Sequence, residues 1–379
     1  MFMSQTDNSH LSTISPWDSA PRAVDIIRDI GKTRPTTTPK LLRSIERLQD
    51  EFAAIRSEDD RIVAKLTKLL RAKYTYHTNA IEGNTLTESE TRSFIETGMT
   101  ISGRPLRDFA EAKNIPQALD MLIDMARETK PMLKTSDILD LHRLVVSGIE
   151  EANPGYFRRG FVRIGTSTYV PPPAYEIEPL TNEMIEYVNK NPDKLAPLEM
   201  AFKLHLWFVS IHPFDDGNGR VSRLLAGLIL MKHKLPPPII KKEHKSKYLK
   251  VLRQTQNKEA LKPYYNFMAE EYVATLTEYI TTARQVGPGD DLVPLAEAAR
   301  KYKIDPEYLS LLARSGTINA LKSGGRWLIR VKDIEDYVGR RNRRELLLPR
   351  RQRAPRQPRR HQLPSGRKRQ RQRPSPSSS

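Results

Sequence analysis

The chain has 379 residues, 38% of them hydrophobic and 28% charged, which is enough for two soluble units with tails. It contains no cysteine, which excludes disulfides and thiolate metal sites and leaves the redox compartment open. The net charge of +18 is concentrated at one end: fifteen Lys and Arg against one acid, Glu345, lie between Arg340 and Arg373, so the body is nearly balanced.

The start, MFMSQTDNSHLSTISPW, is polar and lacks the apolar centre of a signal peptide. No apolar run is long enough to span a bilayer, so a cytoplasmic chain without membrane contact is expected. Residues 1–38, Pro- and Thr-rich towards RPTTTPK, read as an extended arm. Helical patterning begins near Pro39. Leu41, Ile45, Leu48 and Phe52 recur at spacings of three and four and mark one helix face. RIVAKLTKLLRAKYTYHTNAIEG predicts a second helix ending at a glycine, and Thr87-Glu-Ser-Glu90 predicts a capping box opening a third. DFAEAKNIPQALDMLIDMA, SDILDLHRLVV, LTNEMIEYVNK and LAPLEMAFKLHLWFVSI continue the helical pattern.

The segment RRGFVRIGTSTYVPPPAYEIE breaks it. Its β-branched and aromatic alternation predicts a short hairpin at about 161–170, turning at Gly165–Thr168. Gly287-Pro-Gly289 marks a linker near residue 285. Residues 291–340 then read as a small unit of helix, turn, helix, hairpin, helix. Leu295, Ala298 and Ala299 face inward from its first helix, and Tyr308, Leu309, Leu312 and Ala313 from its second. Residues 341–379, rich in Arg, Gln, Pro and Ser, cannot bury a core and are expected to be disordered.

The densest chemistry lies in His212-Pro-Phe-Asp-Asp-Gly-Asn-Gly-Arg-Val-Ser-Arg223. An apolar helix ends before His212, and Pro213 stops or kinks it. Gly217-Asn218-Gly219 lets the backbone turn sharply into a new helix, whose N-terminus is an anion site. Arg220 and Arg223 add cations, Asp216 a carboxylate suited to Mg²⁺, and His212 a base near neutral pH. Singly, each has a structural explanation; together they fit phosphoryl or nucleotidyl transfer.

That segment resembles the Fic-domain signature, His-x-Phe-x-(Asp/Glu)-Gly-Asn-Gly-Arg-x-x-Arg, at every defined position. GRPLRDFAEAKN (103–114) is similar to the family's helical lead-in, and PGYFRRGFVRIGTSTYVPP (154–172) to its flap hairpin. The resemblance implies a mostly α protein: an N-terminal helical region at 39–110, a Fic helical bundle core at 111–285 and a short β-hairpin flap. It implies AMP transfer from Mg-ATP to a hydroxyl side chain (Ser, Thr or Tyr) of a target protein or of the chain itself. His212 would then be the base and Phe214 the loop anchor. Asp216 would hold Mg²⁺, Gly217, Asn218 and Gly219 would form the anion hole, Arg220 would support the phosphates, and Arg223 would pair with the γ-phosphate. The flap would hold target backbone by strand addition.

Thr78-Asn-Ala-Ile-Glu82-Gly83 resembles the family's inhibitory-helix motif, Ser/Thr-x-x-x-Glu-Gly/Asn. It implies that Glu82 pairs with Arg223 and holds the enzyme off. Removal of AMP by the same site and homodimer formation stay open. Residues 294–338 resemble the winged helix-turn-helix of excisionase-type proteins. Tyr308 on the second helix and Lys322 and Arg326 on the wing are its DNA-contact candidates, and the basic tail suits a polyanion backbone. The alternative function is therefore a DNA-binding regulator whose Fic core senses nucleotide or dimerises.

Overall fold

The computed structural model describes residues 20–347, apart from 59–61, 129–130, 150–152, 166, 258–259, 287–291, 319 and 324–325. Its described elements are overwhelmingly helical. At the centre lie α8 (Pro197–Ile211) and α9 (Asn218–Lys232), which pack more extensively on each other than any other pair. Both are buried around nearly their whole circumference, which matches sequences without a polar face. Around this pair stand α3 (Ile62–Glu82), α5 (Leu106–Met125), α6 (Thr135–Val145) and α7 (Ala174–Lys190). Helix α2 (Pro39–Glu58) lies along α11 (Lys262–Val286), and α10 (Lys245–Gln256) packs on α11 as well. The predicted capping box is present at α4 (Glu88–Thr97): Thr87 Oγ accepts from Glu90 N–H, and Thr87 N–H donates to Glu90 at 2.7 Å.

Several expectations are corrected. The arm 1–38 is not wholly extended, because Ala20–Lys32 forms α1. Ala23, Ile26, Ile27 and Ile30 bury one stripe of α1 against the core, a periodicity short enough to be hidden among prolines and threonines. Gly31 lets α1 approach α8 closely, since a Cβ there would lie 2.7 Å from the Trp207 ring.

The flap is the second correction. Its described residues form no paired strands; 161–164 have no regular secondary structure, and Ser167 N–H donates to Ile164 O at 2.8 Å. A lone two-stranded hairpin has too little buried face to hold its ladder. This segment is fastened by side chains instead. Buried Arg158 donates to His212 O at 2.8 Å, Gly160 O at 2.8 Å and Pro172 O at 2.5 Å, and Tyr169 OH donates to Ser210 O at 2.9 Å. The third correction is Tyr308, expected inward but 45% exposed.

The C-terminal unit has its own core of Leu295, Ala298, Ala299, Ile304, Leu309, Leu312, Ala313, Ile318, Ile329 and Ile334. Two short helices, α12 (Leu295–Lys301) and α13 (Pro306–Arg314), precede a hairpin of β2 (Ala320–Ser323) and β3 (Arg326–Arg330). A strand that composition had not suggested, β1 (Leu292–Pro294), pairs antiparallel with β3, giving the order β1-β3-β2. The last helix, α14 (Val331–Leu347), runs past the expected boundary at residue 340. The Gly287–Gly289 linker and the tail from 348 onward lie outside the described residues.

Candidate active site

The motif is the joint between α8 and α9. His212 caps α8 in the left-handed region (φ 51°), an uncommon conformation for a residue with a Cβ, and its N–H closes on Phe208 O at 3.0 Å. Its Nδ1 lies 3.3 Å from Val209 O. A proton on Nδ1 leaves Nε2 as the free basic nitrogen. Burial pushes the imidazole pKa down to about 4, so the ring is neutral at physiological pH.

Asn218 holds the loop shut. Its Oδ1 accepts from Phe214 N–H at 2.9 Å, and its Nδ2 donates to Phe214 O at 2.8 Å. Phe214 is fully buried and stacks on His142, with ring centroids 3.6 Å apart. Gly155 N–H donates to His142 Nδ1, so His142 Nε2–H donates to Asp216 O at 3.1 Å. Burial pushes His142 down to about 4, which keeps it in this neutral tautomer. Gly217 adopts φ 80°, where a Cβ would lie 2.9 Å from Val146. Glycine is therefore required twice over, by conformation and by space. From Asn218 onward the first N–H groups of α9 have no intrahelical acceptor.

The charges form one network. Asp216 Oδ1 accepts from Gly217 N–H at 2.5 Å and from Arg220 at 3.1 Å, while Oδ2 faces Arg107 at 2.5 Å. Burial opposes the charge on Asp216, but Arg220, the Gly217 N–H and Arg107 outweigh it and hold the carboxyl below its usual range. Arg220, 1% exposed, also pairs with Glu111 at 2.8 Å. It thus braces the loop from beneath, with two carboxylates as partners.

Arg223 is the second buried cation. Its Nε donates to Thr78 Oγ1 at 2.8 Å, and its Nη2 to Thr78 O at 2.9 Å and Glu82 Oε1 at 2.6 Å. Its Nη1 has no hydrogen-bond partner among the described residues. Glu82 closes α3, with Gly83 beyond it at φ 111°. Burial works against the Glu82 charge, yet Arg223 and Arg220 hold its carboxyl below the usual range. Glu82 Oε1 sits so close over α9 that a Cβ on Gly219 would lie 2.3 Å from it.

All the motif residues singled out in the sequence, and Thr78, Glu82 and Gly83, meet here. Sequence reasoning missed Arg107, Glu111, His142 and Arg158. The i,i+4 pair Arg107–Glu111 was a signal, but one that usually means a solvated helix face. At the C-terminal unit, Tyr308 lies on the exposed face of α13, its OH 3.3 Å from Tyr337 OH. Lys322 and Arg326 lie on β2 and β3, registered with Trp327 and Ser323 respectively.

Residues 132–230 match the Fic/DOC family and residues 295–342 match a helix-turn-helix domain. The chain carries a Fic domain. The Fic match falls inside the expected 111–285 core and contains the whole motif loop. The chain is 32% identical to the protein adenylyltransferase fic-1 of Caenorhabditis elegans over 288 residues, 72% of this chain and 56% of the relative. It is 33% identical to the protein adenylyltransferase Fic of Aedes aegypti over 63% of this chain and 48% of the relative. The chain thus spans about half the length of the curated relatives it matches. The solved structure of a Fic-domain-containing signalling protein from Bacteroides thetaiotaomicron is similar at TM-score 0.58 and 26% identity, covering 64% of this chain and 97% of that one. Fic-1 (residues 134–508) from C. elegans is similar at TM-score 0.58 and 28% identity, covering 71% and 76%.

The donor set of the Fic loop suits a divalent cation only when a nucleotide brings further oxygens. Among the described residues no group of three or more His, Cys, Asp and Glu could hold a metal alone. Mg²⁺ carried by a nucleotide needs only one or two carboxylates beside its phosphates. Asp216 fits that description: it is one-third exposed, and its Oδ2 already faces a cation.

Proposed function

We propose that this chain is a protein adenylyltransferase, moving AMP from Mg-ATP to a Ser, Thr or Tyr hydroxyl of a target protein or of itself, and that Glu82 holds it off. The observation that carries this reading is the Glu82 carboxylate over Gly219, 2.6 Å from Arg223. An anion-shaped space at a helix N-terminus, with a buried arginine behind it, is filled by an anion from the chain itself.

In the active state Glu82 leaves, and Arg223 turns its freed donors to the terminal phosphate. The N–H groups at Asn218 and Gly219 hold the inner phosphates. Asp216 is the residue that would hold Mg²⁺, which neutralises phosphate charge when bound. Neutral His212 takes the proton of the target hydroxyl at Nε2. The hydroxyl oxygen bonds to the α-phosphorus, the bond to the β-phosphate oxygen breaks, and pyrophosphate leaves. Arg158 supports the exposed flap backbone along which a target segment can lie. Reverse removal of AMP would use the same groups with water as nucleophile.

The test is intact mass spectrometry after incubation with Mg-ATP. Glu82→Gly should gain AMP many-fold over the wild type, and Glu82→Gly with His212→Ala should gain none. Equal labelling of wild type and Glu82→Gly would remove the inhibitory role.

A second reading, a DNA-binding regulator, is favoured by the helix-turn-helix match at 295–342. DNA retention by His212→Ala without AMP transfer would place both activities in one chain. No transfer even from Glu82→Gly would leave the regulator.

A further inference from the structure

Asp216 is held by two cations of different character. Arg220 grips Oδ1 from a buried position and is also tied to Glu111, so it cannot leave without stranding charge in the core. Arg107 reaches Oδ2 from the first turn of α5, with 44% of its side chain exposed. Its tie to Glu111, at 3.3 Å, is long. Of the two carboxylate oxygens, Oδ1 is thus committed to the Gly217 N–H and Arg220. Oδ2 is the one available to an exchangeable partner.

We propose that Arg107 is a built-in competitor for the divalent cation at Asp216: its guanidinium occupies the metal's place until the metal arrives with a nucleotide. This rests on Asp216 as the metal-holding residue of the proposed reaction. A guanidinium and a divalent cation at one carboxylate oxygen repel each other and need the same lone pairs, so one displaces the other. A free ion gains one carboxylate and must expel Arg107. A nucleotide-borne ion brings phosphate oxygens, and with them anionic partners for the displaced guanidinium. Arg107 therefore biases the site against free metal and makes loading depend on nucleotide. It acts through the carboxylate, so it is a positioning residue.

The test needs no turnover. Mn²⁺ is titrated into the nucleotide-free chain, and the resonance signal of the free ion is followed for wild type, Arg107→Gln, Arg107→Lys, Asp216→Asn and the Arg107→Gln/Asp216→Asn pair. Arg107 is near half-exposed, so Arg107→Gln should melt with the wild type. It is expected to bind Mn²⁺ about three- to fivefold more tightly, the size of one exposed ion pair. Arg107→Lys, which keeps the charge but not the fork, should fall between the two. Asp216→Asn should abolish the gain in the paired variant. Equal Mn²⁺ affinity in wild type and Arg107→Gln, with Asp216→Asn weaker, would overturn the competition while sparing Asp216 as the ligand. A gain that survives in the paired variant would overturn it too, because the ion would then bind elsewhere. Mn²⁺ binding indifferent to every substitution would remove Asp216 as the ligand, and the competition with it.

Discussion

At the residue scale, His212 and Asn218 work through backbone as much as through side chain. His212 is held at φ 51° by the helix end, by Pro213 and by Arg158 on its carbonyl. Its ring is kept neutral by burial, with a pKa near 4. As the proposed base it must be unprotonated, so its competence would be retained above that value and lost as pH falls through it. The acid limb of AMP transfer by Glu82→Gly should therefore fall well below about 6.5, the ordinary histidine value. An acid limb at the ordinary value would mean that the ring is solvated in the working enzyme. Glu82 gives a companion expectation in the same direction. Its carboxyl lies below the usual range, so its charge and its pairing with Arg223 persist above about 4.3 and fail only as pH drops past the lowered value. The rate ratio of Glu82→Gly to wild type should stay flat between about pH 8 and 5.5, and a ratio that collapses on mild acidification would make the brake a proton switch. Asn218→Ala strands a buried N–H and a buried carbonyl on Phe214, which costs about 1–3 kcal/mol per unsatisfied group. Its melting temperature should drop by several degrees, with Asn218→Asp recovering only the N–H contact. These residues were legible because their chemistry sits within twelve positions of one another. His142, 70 residues upstream of His212, was not, because nothing local distinguishes a histidine that will stack on Phe214 from one on a polar helix face.

At the element scale, helix periodicity marked α2 to α9, while the two misread segments are the ones stabilised from a distance. Helix α1 is thirteen residues long, too short to be stable by itself, and owes its existence to Ile26, Ile27 and Ile30 against the core. The flap shows the converse: strand-like residues with no partner strand among the described residues, pinned by the Arg158 guanidinium and the Tyr169 hydroxyl. The close approach of α1 to α8 identifies the position to test. Gly31→Val would drive a branched side chain into Trp207. Overpacking of this kind costs about 1–3 kcal/mol. Limited proteolysis should then cut ahead of Pro39 at lower protease, because α1 detaches while α8, held by α9, stays. Unchanged protection would show that Trp207 can turn aside.

At the scale of the whole molecule, two cores and one charge gradient divide the chain. The charges around the Fic loop nearly cancel: Glu82, Glu111 and Asp216 stand against Arg107, Arg220 and Arg223. On the proposed function, a triphosphate would meet little net attraction until Glu82 moves, so the Glu82-paired state would oppose both the approach of ATP and its productive pose. The C-terminal unit is built separately, around ten buried residues from α12 to α14. Leu328 of β3 is the exception, since it joins the larger core. Cutting the chain after Val286 should leave the helical body folded, with a melting temperature lowered by a few degrees through loss of the Leu328 contact. Because Thr78, Glu82 and Arg223 all lie in that body, the rate ratio of Glu82→Gly to wild type should be the same in the shortened chain. A ratio that falls towards one on truncation would mean that the C-terminal unit, rather than the α3–α9 contact alone, keeps Glu82 in place. That outcome would make the helix-turn-helix domain the input of the enzyme and its ligand the releasing signal.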